Sequence, residues 1–387
     1  MMNMANRIKD IFSSWEKGRN VLLYGPPATG KTRLVSELFQ ILNTKTESNE
    51  GIILDPNDAN TPFSRPEEKL PIPQPVKVVW TTFHQSYSYE DFVLGLRPEI
   101  SESGTRLKPF AGIFLDAALE LSDASSEYNS VVIFIDEINR GNAARIFGEF
   151  MTFLDFDYRE DGRVPLPLPL RQLTYTDGES EEVYRAAGVK AKIPIGYTFP
   201  KHIYIVATMN SVDRAAVPID SALARRFDRI EIRPNPSVLA QEWGLDESAI
   251  PAPIDDNWQS LCPHETAYLL LDRLNLAIAT DLGSEFELGH GLFATLTTGV
   301  LSEDIVWHDL AKVWDEVIYP QLEDRYSGRP EQLIELLHVD NPPLSGSYAW
   351  TLRTTRGSSV QSRTLTPVRV SELLIEEIQR SFRWLTR

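Results

Sequence analysis

Apolar runs that stop at a polar residue alternate, along the first part of the chain, with apolar residues at helical spacing. Four runs have the β-branched and aromatic content of buried strands. They are Asn20-Val-Leu-Leu-Tyr-Gly25, Val76-Lys-Val-Val-Trp-Thr-Thr-Phe83, Val131-Val-Ile-Phe-Ile-Asp136 and Ile203-Tyr-Ile-Val-Ala-Thr-Met209. Ile8, Ile11, Phe12 and Trp15 fall on one helical face ahead of the first run. Helices are predicted from Lys31 to about Leu42 and around Gly112–Leu121. Strands separated by helices predict an α/β core over residues 1–234, a parallel sheet flanked by helices. Residues 43–75 carry Pro62, Pro66, Pro71, Pro73 and Pro75 and read as an inserted loop. Residues 161–199, with Pro165, Pro167 and Pro169 among alternating apolar positions, read as a protruding hairpin. From 235 to 340 the pattern is helical, as in Tyr268–Ala279 and Ile305–Leu322. Residues 341–387 mix strand-like and helical stretches, a small α+β appendage.

Charge narrows the function classes. There are 38 basic residues against 55 acidic, a net charge of −17. Proteins that grip DNA over a broad face are basic, because affinity comes from neutralising phosphates. Autonomous, high-affinity DNA binding is therefore disfavoured, while a local basic pore or a DNA-binding partner stays open. The C-terminal arginines Arg353, Arg356, Arg363, Arg369, Arg380, Arg383 and Arg387 outnumber Glu372, Glu376 and Glu377, and read as a solvated surface. Cys262 is the single cysteine and cannot form an internal disulfide, which fits a reducing cytoplasm. No apolar run has the length of a membrane span, and the N-terminus lacks a signal-peptide core. The expected localisation is cytoplasmic, with no membrane partner.

The candidate chemistry sits at the ends of the apolar runs. Gly25-Pro26-Pro27-Ala28-Thr29-Gly30-Lys31-Thr32 follows the first strand and opens the next helix, the arrangement of a phosphate-cradling P-loop. Its backbone N–H groups and the helix N-terminus wrap the β- and γ-phosphates, with Arg33 in the first turn. Lys31 supplies a cation to those oxygens, and Thr32 a hydroxyl to Mg²⁺. A tight glycine turn is the bland alternative, and strand, spacing and helix together argue against it. Asp136 and Glu137 end the third run. There Asp136 would hold the Mg²⁺ shell, through water, and Glu137 would polarise the attacking water. Asn210 ends the fourth run and can hydrogen-bond both water and γ-phosphate, or simply cap the strand. Arg225 and Arg226, in Asp220-Ser-Ala-Leu-Ala-Arg225-Arg226-Phe227, lie where they would reach a neighbour's nucleotide as trans-acting arginine fingers. No His/Cys/Asp cluster has the spacing of another metal site.

This order of motifs resembles the AAA+ superfamily, and within it the McrB-like GTPases of modification-dependent restriction systems. Three segments carry the resemblance: Ile135-Asp-Glu-Ile-Asn-Arg-Gly-Asn142, Phe83-His-Gln-Ser-Tyr-Ser-Tyr-Glu-Asp-Phe92 running into Gly95-Leu-Arg-Pro98, and Tyr204-Ile-Val-Ala-Thr-Met-Asn-Ser-Val-Asp-Arg214. Leu288-Gly-His-Gly-Leu-Phe293 is similar to an element of that family's helical lid. The likeness covers roughly residues 18–325 and departs at Asn210-Ser-Val-Asp213 and at Ala28-Thr29, where Asn-Thr-Ala-Asp and Gly-Val are common. It implies an AAA+ core with a helical lid, Mg²⁺ and GTP or ATP as substrate, GTP favoured. It also implies a ring, a hexamer, and a McrC-like nuclease and activator subunit. The resemblance also includes an N-terminal DNA-recognition domain, for which nothing is seen ahead of this P-loop. Target recognition is expected in another subunit or in a segment outside this sequence, with DNA contacted mainly through partners or a pore. A MoxR-like chaperone that remodels protein partners shares the core motifs and is the alternative. Ser88 and Asp91 fit a helix capping box, which makes Tyr89 and Phe92 core residues. His84 is open between packing and exposure, and His290 reads as a hydrogen-bonded lid residue.

Overall fold

The computed structural model describes residues 2–43, 70–101, 104–160, 164–167, 169, 173, 182–185, 188–193, 196–213, 216–250, 260–299, 302–338, 350–356, 361–367 and 369–386. Most of the expected inserted loop, residues 44–69, lies outside them. Contacts divide the chain into two units: residues 1–24 with 31–231, and residues 25–30 with 232–387.

In the first unit, helix α1 (Met2–Glu16) buries Ile8, Ile11 and Trp15, as its spacing predicts. Strand β1 (Asn20–Gly25) leads to the phosphate loop and α2 (Lys31–Asn43) follows it. Then come β2 (Val76–Thr82), α3 (Tyr89–Phe92), the hairpin β3 (Leu94–Ser101) and β4 (Gly104–Ala111), and α4 (Ile113–Ser122). Next are β5 (Ser130–Asp136), α5 (Ala143–Phe147), β6 (Glu182–Tyr184), β7 (Lys190–Lys192) and β8 (Ile203–Asn210). Short α6 (Ser221–Ala224) and β9 (Phe227–Glu231) complete the unit.

The central sheet runs β2-β5-β8-β1-β9, with parallel pairing at β2–β5, β5–β8 and β1–β9. Val131 through Ile135 are almost fully buried, as are Ile203 through Ala207 apart from a trace of Tyr204. That explains their continuous apolar runs, because a parallel sheet is covered on both faces. Every parallel strand delivers its carboxyl end to the same edge, where ligands bind in open α/β sheets. Arg159 holds the start of β8 in place, donating to the carbonyls of Phe153 (2.6 Å), Lys201 (2.8 Å) and Ile203 (2.6 Å).

A second sheet, β3-β4-β6-β7, grows from the same unit. β6 and β7 pair antiparallel inside the segment read as a hairpin. The hairpin β3–β4 was not expected from the sequence. Strands β3 and β4 pair antiparallel from Leu94↔Ala111 out to Ser101↔Gly104. In the segment Phe83–Phe92, Phe83 and Phe92 are fully buried and Tyr89 is half-buried, and Ser88 with Asp91 forms the capping box. His84 is exposed, with its ring 5.5 Å from that of Tyr87.

The second unit contains α7 (Pro236–Trp243), α8 (Pro263–Asp281), α9 (Glu303–Val313), α10 (Tyr319–Arg325), α11 (Pro330–Leu336), the hairpin β10 (Trp350–Arg356) and β11 (Gln361–Pro367), and α12 (Ile375–Leu385). Trp307, Leu310, Trp314 and Leu274 share one core with Val370, Ile378, Phe382 and Leu385. Residues Val370, Ile378, Phe382 and Leu385 of the C-terminal segment therefore pack into the same core as the helical region. The apolar face of α12, with Ile378, Phe382 and Leu385, carries that contact.

Candidate nucleotide-hydrolysis site

Adjacent strands β5 and β8 end side by side, with Ile135 opposite Ala207. That register puts Asp136 and Glu137 against Thr208 and Asn210. Thr208 Oγ1 donates to Asp136 Oδ1 (2.5 Å) and accepts from the Glu137 backbone N–H (3.1 Å). Glu137 takes a left-handed backbone, φ 55° and ψ 49°, which costs a non-glycine residue of order 1–3 kcal/mol. The turn swings its side chain to Asn210, whose Nδ2 donates to Glu137 Oε1 at 2.6 Å. Arg140, one turn on, lies 3.6 Å from Glu137 Oε2 and 3.1 Å from Asp213 Oδ2. Asn139 Nδ2 donates to the Asn210 carbonyl (3.0 Å) and ties the two strand ends together.

The electrostatics follow from burial. Desolvation raises the Glu137 pKa, with Asp136 and Asp213 adding to it and Arg140 and Lys31 opposing. A carboxylate raised in this way is a better proton acceptor than a solvated one. Lys31 is buried, and desolvation brings its pKa down to about 8, against the pull of Glu137 and Asp136. Thr32 and Arg33 are exposed at the start of α2, and Arg33 lies 3.5 Å from Glu37.

Residues 25–30 pack in the second unit. Gly25 is backed so closely by the Ile232 carbonyl that a Cβ there would meet it at 2.3 Å. Thr29 Oγ1 donates to the Pro26 carbonyl (3.0 Å). Pro26 is buried and Pro27 half-buried. Ala28 has φ +59°, the conformation glycine adopts freely and an alanine adopts under strain. The Ala28 carbonyl accepts from Gly291 N–H (2.9 Å). Gly289 lies against Pro27 and Ala28, where a Cβ would meet the Pro27 carbonyl at 2.2 Å. Asn275 pins this segment through both backbone groups of Leu288. His290 is buried, and its Nδ1 accepts the Asn235 N–H (3.3 Å), in keeping with a hydrogen-bonded lid residue.

The arginine pair divides. Arg226 is buried; its Nε donates to Asp155 Oδ2 (2.9 Å) and its NH1 to the Ala222 carbonyl (2.7 Å). Arg226, expected with Arg225 to act in trans, is thus held by partners of its own unit, and β9 begins right after the pair. Arg225 is exposed, on an open groove of about 720 Å³ shared with Asp10, Lys17, Asp228 and Arg229. Arg19 holds its backbone, donating to the Arg225 carbonyl (2.6 Å) and to Asp228 (3.0 Å). Spacing alone had not revealed Thr208, Arg140 or Asp213 as members of the site. Their signal was present in the Asp-Glu-Ile-Asn-Arg140 and Thr208-Met-Asn-Ser-Val-Asp213 strings.

Comparison with known proteins decides the family. Residues 72–227 match the AAA domain of the dynein-related subfamily, and residues 267–333 match the alpha-helical lid domain of McrB. The type IV methyl-directed restriction enzyme EcoKMcrB subunit of Escherichia coli K12 is 30% identical over 317 residues, covering 81% of this chain. The chain belongs to the McrB-like AAA+ family. A second relative of this McrB-like chain is the type II restriction enzyme BsuMI component YdiS of Bacillus subtilis 168. It is 25% identical over 219 residues, 55% of this chain. The chain spans 55% and 57% of the lengths of these two relatives. Its AAA module is that of a nucleotide hydrolase with restriction-system homologues. Among the described residues no helix is long and apolar enough to cross a membrane.

Proposed function

We propose that this chain is the nucleotide-hydrolysing motor subunit of a multi-subunit DNA restriction or phage-defence complex, with GTP the favoured substrate. The observation that carries the reading is the catalytic strand pair Glu137–Asn210 in a chain that also carries an McrB-type lid. Lys31 and the backbone N–H groups of residues 25–32 bind the β- and γ-phosphates, and the buried ammonium gives that contact its strength. Thr32 and Asp136 suit a hard, oxygen-ligated Mg²⁺, which supplies charge neutralisation on the phosphates. Thr208 fixes the Asp136 carboxylate for that role. Glu137, held by Asn210 and raised by burial, accepts the proton of the attacking water, and Asn210 senses the γ-phosphate.

Arg225, exposed on its groove, serves a neighbouring subunit's nucleotide, so turnover depends on a homo-oligomeric ring, a hexamer. A separate McrC-like subunit stimulates hydrolysis and brings the nuclease. The test is turnover of GTP against ATP by purified chain, with Glu137→Gln as the blank. GTP preference supports the restriction motor. A clear ATP preference returns the reading to a chaperone that remodels protein partners.

A further inference from the structure

The sheet β3-β4-β6-β7 carries a cationic face on an otherwise acidic protein. In the register, Arg97 stands opposite Lys108, Phe110 opposite Tyr184, and Tyr184 opposite Lys190. Arg106 and Lys192 continue the same face at alternate positions. Five cations thus share it with two carboxylate positions, Glu99 opposite Arg106 and Glu182 opposite Lys192. The whole chain has the reverse balance, 38 basic to 55 acidic. An incidental solvated face would follow that composition.

The side chains of the face are tied down. The Arg97 guanidinium lies 3.9 Å over the Phe110 ring, Lys108 donates to the Tyr184 hydroxyl (2.7 Å), and Lys190 pairs with Glu182 (3.0 Å). That leaves Arg97, Arg106 and Lys192 as cations with no carboxylate at ion-pair distance among the described residues. The platform beneath is anchored: Val183 and Ile193 are buried, and Arg185 pairs with Asp116 (2.9 Å) and Glu120 on α4. Arg97, Arg106, Lys190 and Lys192 remain exposed.

We propose that this face is a docking surface for the sugar-phosphate backbone of duplex DNA. The inference rests on the reading of the chain as a DNA-restriction motor and supplies what its net charge seemed to deny, a place to touch DNA. Cations at alternate positions of a strand recur about every 7 Å, close to the step between phosphates along one DNA strand. The Phe110 ring is already covered by the Arg97 guanidinium, so it offers no bare stacking platform of the kind single strands use. Phosphate contacts without base readout carry no sequence information, which suits a motor that must move along any sequence.

The test is binding of a fluorescein-labelled duplex of arbitrary sequence to the full chain, by anisotropy across a salt series, with Arg97→Gln/Arg106→Gln/Lys192→Gln as the variant. The expected result is affinity at least about tenfold weaker at low salt, and a salt slope smaller by about 3, near 0.9 per lost cation. Nucleotide turnover measured on the same samples should be unchanged, because none of these residues belongs to the hydrolysis site. Equal affinity and slope for variant and wild type, or no binding by wild type at low salt, overturns the inference. So does a variant that loses self-association in sedimentation while keeping its DNA affinity, which would make the face a contact between copies. Turnover separates the two readings: hydrolysis without DNA binding sinks this inference alone. DNA binding through these residues without hydrolysis sinks the motor alone.

Discussion

Asn210 Nδ2 donates a 2.6 Å hydrogen bond to Glu137 Oε1, joining two residues that are 73 positions apart in the chain. The bond stabilises the ionised carboxylate that burial otherwise disfavours. Glu137→Gln is expected to keep nucleotide binding and lose turnover by about a hundredfold or more. Asn210→Ala should lower kcat with little change in KM. Normal hydrolysis by Glu137→Gln would remove it from the proposed role.

Arg140 lowers the Glu137 pKa, and burial raises it. Removing the guanidinium leaves the raising causes unopposed. In Arg140→Ala, Glu137 should therefore hold its proton to higher pH, and the acid limb of the kcat profile should move upward in pH. A pH–rate profile of the two proteins decides this. A limb that stays in place would show that Arg140 acts on Asp213 alone.

Lys31, with its pKa at about 8, is protonated below that pH and loses its proton as pH rises through it. Bound phosphates favour the charged ammonium and raise its pKa, so above pH 8 binding must take up a proton. Linkage then requires nucleotide affinity to fall with pH in that window, by up to about tenfold per unit, and to be flat in pH below it. Titration calorimetry in buffers of different ionisation enthalpy measures the uptake directly. Proton release in that window, or no uptake, would contradict it.

The two neighbouring arginines should fail in different ways. Arg226→Ala leaves Asp155 without its buried partner and is expected to destabilise the first unit by about 2 kcal/mol. Asp155→Ala should do the same. Arg225→Ala removes an exposed side chain and should leave the thermal midpoint in place while reducing turnover of the assembled protein. Loss of stability from Arg225→Ala, or none from Arg226→Ala, would reverse the assignment.

At Ala28 the strain itself can be tested. An L-residue in the left-handed region costs about 1–2 kcal/mol, and the exposed Ala28 methyl has little burial to offset it. Ala28→Gly should therefore stabilise the native loop by roughly 1 kcal/mol even after glycine's larger entropy loss. Denaturant midpoints at equal slope would show it, and a lower midpoint would mean the methyl packs more than its exposure indicates.

The four apolar runs marked strands to within a residue or so at each end, because a strand covered on both faces has to be apolar throughout. β9 escaped notice because Phe227-Asp-Arg-Ile-Glu231 is a short edge strand with charges at its outer positions. The hairpin β3–β4 escaped because Pro98 and Pro109 argue against strands unless they lie at an edge or bulge. One helix was expected over Ile305–Leu322, where α9 and α10 are separated by a π-helical turn, Trp314–Ile318, just ahead of Pro320. Of the site, the residues at motif positions were legible and their partners were not. Asn210 meets Glu137 through the adjacency of β5 and β8, and Arg226 meets Asp155 across 71 residues, distances that no local pattern encodes.

Arg19 stands immediately before β1, and its guanidinium grips both the Arg225 carbonyl and the Asp228 carboxylate at the head of β9. It acts as a rivet between the outward-facing arginine and the strand that leads to the chain's own phosphate loop. β9 itself pairs with β1 from Asn20↔Phe227 to Tyr24↔Glu231, so a side-chain tie and a strand ladder both join Arg225 to the strand that feeds the phosphate loop. Arg19→Ala removes the side-chain tie and leaves the β1–β9 ladder to hold the two together.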